Sequence, residues 1–353
     1  MHFVFTDEQR MIGETVRGFF AEHATSPRTR AAMAGEGIDR VLWTSFAQEL
    51  GLAGLALPEE AGGAGLGMVE LAQVAEAAGT HVAALPLLGH AMLGAALVAG
   101  GNDAQAAEWL PRLAAGEVIA ATAWVDPAAL TERAGAISGT LDFVAHGAVA
   151  DIVLVYSGDR AWLVDPRGGG VAIAPKVTLD QTRPLASMVL ADAPAEPLGD
   201  PDAAIAGALA AGWIVLAAEG LGVAQSALDR TVGYARERVQ FGRPIGSFQA
   251  YKHRLADLVV EIEQARSAVY WAACAVDENS PEAPLALHAA KSFAADTAFF
   301  CAGNMIQLHG GIGFTWDHDA HLFFKRARSL QTMLGEGAWH RERIATMIVG
   351  ADL

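Results

Sequence analysis

Between two long helical patterns the chain reads Arg236-Glu237-Arg238-Val239-Gln240-Phe241-Gly242-Arg243-Pro244-Ile245-Gly246-Ser247-Phe248-Gln249, its densest polar stretch. Three arginines fall within eight residues of a protein that has 24 Lys and Arg residues against 40 Asp and Glu residues. Arginine grips phosphate through paired hydrogen bonds, and glycine lets backbone approach a ligand closely. The stretch is equally compatible with a plain helix–helix turn carrying solvated arginines.

A second glycine-rich stretch follows later in the chain. It reads Gln307-Leu308-His309-Gly310-Gly311-Ile312-Gly313-Phe314. Glycines at this place end a helix and expose N–H groups that can face a pyrophosphate. Taken alone, the stretch is also explained by an ordinary helix stop and turn.

The hydrophobic pattern divides the chain into three zones, which predict domains at 1–117, 118–198 and 199–353. The first zone is helical, and Thr6 with Gln9 forms a capping box before its first helix. The middle zone holds short apolar runs bounded by turn residues, which favours antiparallel strands. Those strands are predicted at Ile119–Val125, Ala136–Ala145, Asp151–Tyr156, Ala161–Val164 and Val171–Ala174.

The third zone returns to a helical period with longer segments. Ser280-Pro281-Glu282 supplies the start of one helix, which runs to His309 and stops at Gly310. Another helix carries an apolar stripe of Leu255, Leu258, Val259, Ile262, Ala265 and Val269. Helices of this length suit an antiparallel bundle. The fold class predicted is α+β, mostly α, with an N-terminal helical domain, a middle antiparallel β domain and a C-terminal four-helix bundle.

Composition excludes several function classes. The 353 residues carry a net charge of −16, which argues against binding to nucleic acid. The apolar run Ala203–Ala218 falls short of the ~18–20 residues of a membrane span, and no secretory signal is visible. Cys274 and Cys301 cannot form a disulfide framework, so both are predicted to be reduced. These features predict a cytoplasmic protein without a membrane segment.

The two glycine-flanked stretches together resemble the acyl-CoA dehydrogenase family. Its R-x-x-F-G-x-x-[IL]-x-x-x-Q pattern is met by Arg238, Phe241, Gly242, Ile245 and Gln249. Its later Q-x-x-G-G-x-G pattern is met by Gln307, Gly310, Gly311 and Gly313. The segment 57–63, with Pro58-Glu59 and Gly62-Gly63, looks like the N-terminal P-E-x-x-G-G loop of the family.

That resemblance implies FAD as the cofactor and an acyl-CoA thioester as the substrate. It implies electron transfer to an electron-transfer flavoprotein, and a homo-oligomer or a heterotetramer with a related subunit. In the family a glutamate removes the α-proton while the β-hydride passes to the flavin. The residues that match the family's FAD-binding positions are Arg238, Phe241, Gln249, Gln307, Gly310 and Gly311.

The catalytic base is predicted at Glu336, because Glu336-Gly337 with Arg343 fits the E-G pair that many members carry before the last helix. Two extra residues precede this pair, so an ungapped alignment places Leu334 at the base position instead. Other members carry the base at the start of a bundle helix, where this chain has Gly212 beside Trp213. Both possibilities stay open at the level of sequence.

Other positions depart from the family as well. Where the family has a W-I-T strand beside the flavin ring, this chain has Phe143-Val144-Ala145, so Phe143 can pack on the ring but Ala145 has no hydroxyl. The main functional hypothesis is an FAD-dependent acyl-CoA dehydrogenase forming a 2,3 double bond. The alternative is a base-deficient partner subunit that completes the FAD site of a heteromeric enzyme. Glu219, inside an apolar helix, is expected to meet an arginine or an interface, with a base role as the alternative, and no metal site is predicted.

Overall fold

The structure is a computed structural model that describes residues 4–350. Its contacts form two compact units. The first contains the N-terminal residues through Ser26, then Met68–Ala83, and the chain from Trp213 onward. The second contains Pro27–Gly67 and Ala84–Gly212. The three-domain division at 1–117, 118–198 and 199–353 stays a prediction.

Helices dominate the described chain, as the sequence predicted. In chain order they are α1 (Asp7–His23), α2 (Ser26–Ala34), α3 (Arg40–Thr44), α4 (Met68–Thr80), α5 (Leu87–Gly100), α6 (Asp103–Ala114), α7 (Pro201–Glu237), α8 (Gln249–Asp277), α9 (Ala283–His309), α10 (Ala320–Thr332) and α11 (Gly337–Val349). The predicted capping box is confirmed, because Thr6 and Gln9 exchange hydrogen bonds at the start of α1.

In the first unit, α9 packs against α8, α10 and α11, while α4 packs against α1 and α8. Glycines bring α4 and α7 into close approach, since a Cβ on Gly222 would stand 1.9 Å from the Glu76 carbonyl oxygen. The α8 stripe is confirmed at Leu258, Ile262, Ala265 and Val269, which are buried.

The prediction of the apolar stripe on α8 is wrong at one position. Val259 is 45% exposed, because it lies one residue past Leu258 and therefore turns about 100° away from the buried face. The start of α9 was also wrong. The helix begins at Ala283, because the Ser280 hydroxyl accepts the Glu282 N–H and holds residues 280–282 in a turn. Its predicted end at His309 is confirmed.

Two four-stranded sheets occupy the second unit. The strands are β1 (Ala120–Trp124), β2 (Leu130–Arg133), β3 (Ala136–Ala145), β4 (Ile152–Ser157), β5 (Arg160–Val164), β6 (Val171–Lys176), β7 (Leu185–Pro194) and β8 (Glu196–Pro197). Their orders are β1-β4-β5-β8 and β2-β3-β7-β6. All pairs are antiparallel except β1 with β4, which run parallel.

All five predicted strands are present, but β2, β7 and β8 were missed. β7 lies inside its sheet, between β3 and β6. Its sequence, LASMVLADAP, is rich in alanine and holds an aspartate, both of which are depleted in strands. The only signal in the sequence for this strand was therefore the alternation of Ala186, Met188 and Leu190, the residues that the structure buries.

Helix α7 is much longer than the apolar run predicted at 203–218. The helix continues to Glu237, and it is long and apolar enough, by length and composition, to cross a membrane. Within the fold, however, 72% of its most apolar window is buried. That burial fits a core helix, because a core helix is apolar on every side that touches other helices.

Candidate functional site

The first arginine-rich stretch forms a tight hairpin directly after α7. Strands β9 (Val239–Gln240) and β10 (Arg243–Pro244) pair across a two-residue turn at Phe241-Gly242. Both turn residues have positive φ, +53° and +74°, as a type I′ turn requires. The hairpin is closed at its base, where the Ile245 N–H donates to the Arg238 carbonyl.

The second stretch ends α9 and turns the chain. Gly310 is the C-cap with φ 64° and ψ −142°, a combination that essentially only glycine adopts. Gly311 is different, because its φ is not positive and a Cβ built on it would meet no atom within 4 Å. The fold itself therefore does not require glycine at 311.

The two stretches lie side by side in the first unit. Tyr234, in the last turns of α7, stacks on His309 with ring centroids 4.5 Å apart. The Tyr251 hydroxyl donates to the Leu308 carbonyl at 2.9 Å. Burial raises the pKa of Tyr251 to about 12, so the hydroxyl keeps its proton for this bond. Segments about 60 residues apart in sequence thus form one surface.

The polar candidate side chains on this surface do not stabilise the fold through hydrogen bonds within residues 4–350. Arg238, Gln249 and Gln307 are exposed, and their side chains bond to none of those residues. Phe241 is 91% exposed at the hairpin tip. A free guanidinium, two free amides and an uncrowded glycine backbone are the donors that a diphosphate needs. The residues present therefore fit the diphosphate end of FAD.

The loop that carries Leu334 contacts α7, the helix that also carries Gly212, the other sequence position considered for a base. The Trp213 indole N–H, on α7, donates to the Leu334 carbonyl at 2.9 Å, so α7 contacts the loop before α11. Leu334 has φ +52°, a left-handed conformation that costs roughly 1–2 kcal/mol for a residue with a Cβ. Neither Gly212, Trp213 nor Leu334 carries a carboxylate.

Glu336, the predicted base, lies at a different point of this loop. It is the exposed N-cap residue of α11, and its side chain bonds to no residue between 4 and 350. Arg343, which completes the sequence pattern, lies over the Trp339 ring at 4.0 Å. In this loop Gly335 has φ +104° and follows the left-handed Leu334.

A buried cluster behind the loop was missed from sequence. His288 and His340 join through their Nδ1 atoms at 2.7 Å, and the His340 Nε2 lies 3.2 Å from the Leu334 carbonyl oxygen. Lys291 is fully buried and donates to the carbonyls of Leu330 and Gly335. Burial lowers the pKa of this lysine to about 8. The available signal was spacing, because His288 and Lys291 lie three residues apart on α9.

The prediction for Glu219 is confirmed. Its carboxylate forms an ion pair with Arg326, and both side chains are almost completely buried. Such a pair holds each charge in place of the water that burial removes. Glu219 is thereby committed to a structural contact inside the helices.

The second unit carries Phe143 and Ala145, where the sequence departs from the W-I-T pattern. Phe143 lies at a bulge in β3, has φ +59° and is 67% exposed. Lys176 approaches its ring at 5.3 Å and pairs with Asp142 at 2.9 Å. Ala145 is buried in the sheet. The outward ring of Phe143 is free to pack on a flat partner.

The two cysteines are unpaired, and the described residues form no cluster of metal ligands. Cys274 and Cys301 are free thiols, as predicted, and burial raises the pKa of both. Across residues 4–350 there is no group of three or more His, Cys, Asp or Glu side chains that could hold a metal ion.

Comparison with known proteins places the chain in a family. Residues 6–117 match the acyl-CoA dehydrogenase N-terminal domain, and residues 203–349 match the acyl-CoA dehydrogenase C-terminal domain. The acyl-CoA dehydrogenase IpdE2 of Mycobacterium tuberculosis (strain ATCC 25618 / H37Rv) is 41% identical over 93% of this chain and 93% of that protein.

Two solved structures agree over almost the whole chain. A structure of the Tcur3481-Tcur3483 steroid ACAD has a TM-score of 0.87 and 32% identity, covering 97% of this chain and 98% of its own. The ChsE4-ChsE5 complex from Mycobacterium tuberculosis has a TM-score of 0.89 and 27% identity, with each chain fully covered. The chain belongs to the acyl-CoA dehydrogenase family, whose members are flavin-dependent oxidoreductases.

Proposed function

We propose that this chain binds FAD and takes part in the oxidation of an acyl-CoA thioester to its 2,3-enoyl product. The observation that carries the proposal is the joined surface of Arg238, Gln307 and Gly311. Its polar side chains stabilise nothing within the described part of the chain, and its glycine has no conformational need to be glycine. An anionic ligand with a flat adenine end accounts for all of these features together.

Each candidate residue has a defined task in this proposal. Arg238 neutralises the diphosphate through its forked N–H groups, and Gln249 and Gln307 donate further hydrogen bonds. Gly310 and Gly311 supply backbone N–H groups at close range, and Phe241 offers an exposed aromatic face. FAD, when bound, accepts the hydride that leaves the β-carbon.

The source of the catalytic base divides the proposal into two forms. In the first, Glu336 removes the α-proton, as the family pattern predicts. In the second, the chain is a base-deficient subunit and a related subunit supplies the carboxylate. The second form is favoured by one observation: Gly212 and Leu334, which match the base positions of the family, carry no carboxylate, and Glu336 is the exposed N-cap of α11.

Substrate, partners and location follow from the same similarities. The likeness to a steroid acyl-CoA dehydrogenase supports a steroid side-chain or fatty acyl-CoA as the substrate. The likeness to the ChsE4-ChsE5 complex supports a heterotetramer, with a homo-oligomer as the other arrangement. We expect electron-transfer flavoprotein to take up the electrons. The buried apolar face of α7 supports a cytoplasmic location, with no membrane partner.

Anaerobic bleaching of the flavin tests the proposal. The FAD-loaded chain is mixed with a panel of acyl-CoA esters, alone and together with a glutamate-bearing family subunit. Bleaching by the chain alone that Glu336→Gln abolishes supports the first form. Bleaching only in the presence of the second subunit supports the second form. If the flavin stays oxidised in both settings with every ester, the proposed function is wrong.

A further inference from the structure

The C-terminal helix α11 is lightly anchored to the first unit. Between residues 337 and 349 only His340 is buried, and the other side chains are exposed or half-buried. The last turn, residues 345–349, is exposed throughout. A helix with so few buried contacts can open locally while the rest of the fold stays intact.

A buried lysine fastens the loop before this helix. Lys291, on α9, has none of its surface exposed and donates to the Leu330 carbonyl at 2.9 Å and to the Gly335 carbonyl at 3.3 Å. The carbonyls in the last turn of a helix lack partners within the helix, so a lysine is a suitable donor for them. Lys291 therefore joins the end of α10 to the loop that leads into α11.

Two buried histidines fasten α11 itself. His340, on α11, bonds to the Leu334 carbonyl through Nε2 and to His288, on α9, through Nδ1. Because a carbonyl only accepts, the His340 Nε2 carries a proton and its Nδ1 accepts the Nδ1–H of His288. Two neutral rings can share this hydrogen. Two protonated rings would both present N–H groups at the same bond, which would then break.

The acceptors around the lysine suit an uncharged amine. A neutral amine has two N–H groups, which matches the two backbone carbonyls that Lys291 contacts. The third N–H of an ammonium group would find no acceptor among residues 4–350. Burying a charge without a partner is costly, so protonation of this group favours its contact with water.

Burial is the main influence on all three groups. Burial, against a smaller opposing effect of Asp296, lowers the pKa of Lys291 to about 8. Burial, followed by Lys291 and His288, lowers the pKa of His340 to about 3. Burial, followed by Arg343, lowers the pKa of His288 from its ordinary 6.5. Each group is therefore easier to protonate in water than beneath α11.

Two ion pairs lie on the elements packed against this cluster. Arg326 on α10 pairs with Glu219 on α7, and Arg341 on α11 pairs with Asp296 on α9. Helix α8, which also packs on α9, carries no described charge that acts on Lys291. Among the described residues, no carboxylate therefore contacts the cluster directly and stabilises its protonated form.

We propose that α11 is a pH-sensitive latch, which is closed when Lys291, His288 and His340 are neutral and is released as they take up protons. The released helix carries with it the loop that precedes it, and so both Leu334 and Glu336. The inference goes beyond the proposed function and does not depend on it, because the docking of this helix requires neither FAD nor an acyl-CoA.

The direction and size of the effect follow from the lowered pKa values. A group with a lower pKa in the closed state binds more protons when the helix is released, so acid favours release. For Lys291, with a pKa of about 8 against the ordinary 10.5, the ratio of released to closed helix should rise about tenfold from pH 9 to pH 7. For His340, with a pKa of about 3 against 6.5, a further rise of about 25-fold should follow from pH 7 to pH 5.

Hydrogen exchange of the full chain tests the latch. Backbone amides are pulse-labelled at pH 9, 7 and 5, and the protection of each peptide is corrected for the intrinsic exchange rate at that pH. Protection of α11 should fall in the two steps given above, whereas protection of α1 should not follow them. Lys291→Met should remove the step from pH 9 to pH 7, and His340→Gln should remove the step from pH 7 to pH 5. The matched control Lys252→Met, which replaces an exposed lysine on α8, should keep both steps.

Three results would overturn the proposal. The first is protection of α11 that stays the same from pH 9 to pH 5. The second is a step that survives in the variant designed to remove it. The third is loss of protection in α1 together with α11, which would mean that the whole unit unfolds. Each variant tests one step by itself, so the proposal stays testable if the other variant does not fold.

Discussion

The substitution Gly311→Ala tests ligand binding separately from folding, because it adds a single methyl group. The added methyl would meet no atom of the chain within 4 Å, and the backbone at 311 has no positive φ. The variant should therefore fold normally. It should even gain about 0.4–1 kcal/mol of stability, because alanine has fewer unfolded conformations to lose than glycine. A structural role for Gly311 would predict the opposite sign.

The same methyl should interfere with FAD. It stands beside the N–H group that we assign to the diphosphate, and a hydrogen bond to a charged group contributes about 1.5–3 kcal/mol. Losing one such bond weakens affinity roughly tenfold to a hundredfold or more. FAD binding is measured by fluorescence quenching of the apoprotein, and stability is measured by urea denaturation without FAD.

Two other glycines serve as controls. Gly169→Ala, in an exposed turn where a Cβ also meets nothing, should leave FAD affinity unchanged. Gly310→Ala should destabilise the apoprotein, since its φ of 64° with ψ −142° excludes alanine. If Gly311→Ala binds FAD as tightly as the wild-type protein, the assignment of this turn to the diphosphate is refuted.

Three further predictions concern single side chains. Arg238→Ala should change the free energy of unfolding by no more than ~0.5 kcal/mol yet lower FAD content, whereas unfolding with unchanged FAD content would contradict the binding role. Glu219→Gln should cost about 3–5 kcal/mol in urea denaturation, because it removes the negative charge that is paired with the buried Arg326; a cost below ~1 kcal/mol would argue that water reaches the pair. Lys291 has a pKa of about 8 in the fold against 10.5 when unfolded, so the unfolded chain binds more protons between these values. Stability should therefore rise with pH from about 8 to 10.5 more steeply in the wild-type protein than in Lys291→Met, and parallel curves would contradict this.

The fold class could be predicted from the sequence because the hydrophobic period changes sharply between the three zones of the chain. The apolar stripe of α8 and the glycine stop of α9 both reflect strong local rules. The missed strand β7 obeys no such rule, since its alanines and aspartate disfavour strands and only its pairing with β3 and β6 stabilises it. The 280–282 turn was missed because a serine side-chain bond replaced the predicted helix start.

The candidate site was predictable only in part. Arg238 and Gln307 were identifiable because their stretches resemble the FAD-binding motifs of the acyl-CoA dehydrogenase family. The His288–His340 pair was not, because the two residues are 52 positions apart and only the packing of α9 against α11 joins them. The Leu334 backbone likewise depends on the Trp213 indole, more than a hundred residues away in sequence.

The central claim is that this chain serves in acyl-CoA dehydrogenation with FAD, and the product of the reaction tests it most directly. The FAD-loaded protein is mixed anaerobically with a saturated acyl-CoA, both alone and with a glutamate-bearing family subunit, and the acyl-CoA is weighed by mass spectrometry. The account predicts one product molecule lighter by two hydrogens for each FAD reduced in at least one setting. An acyl-CoA of unchanged mass in both settings, with FAD firmly bound, would contradict it.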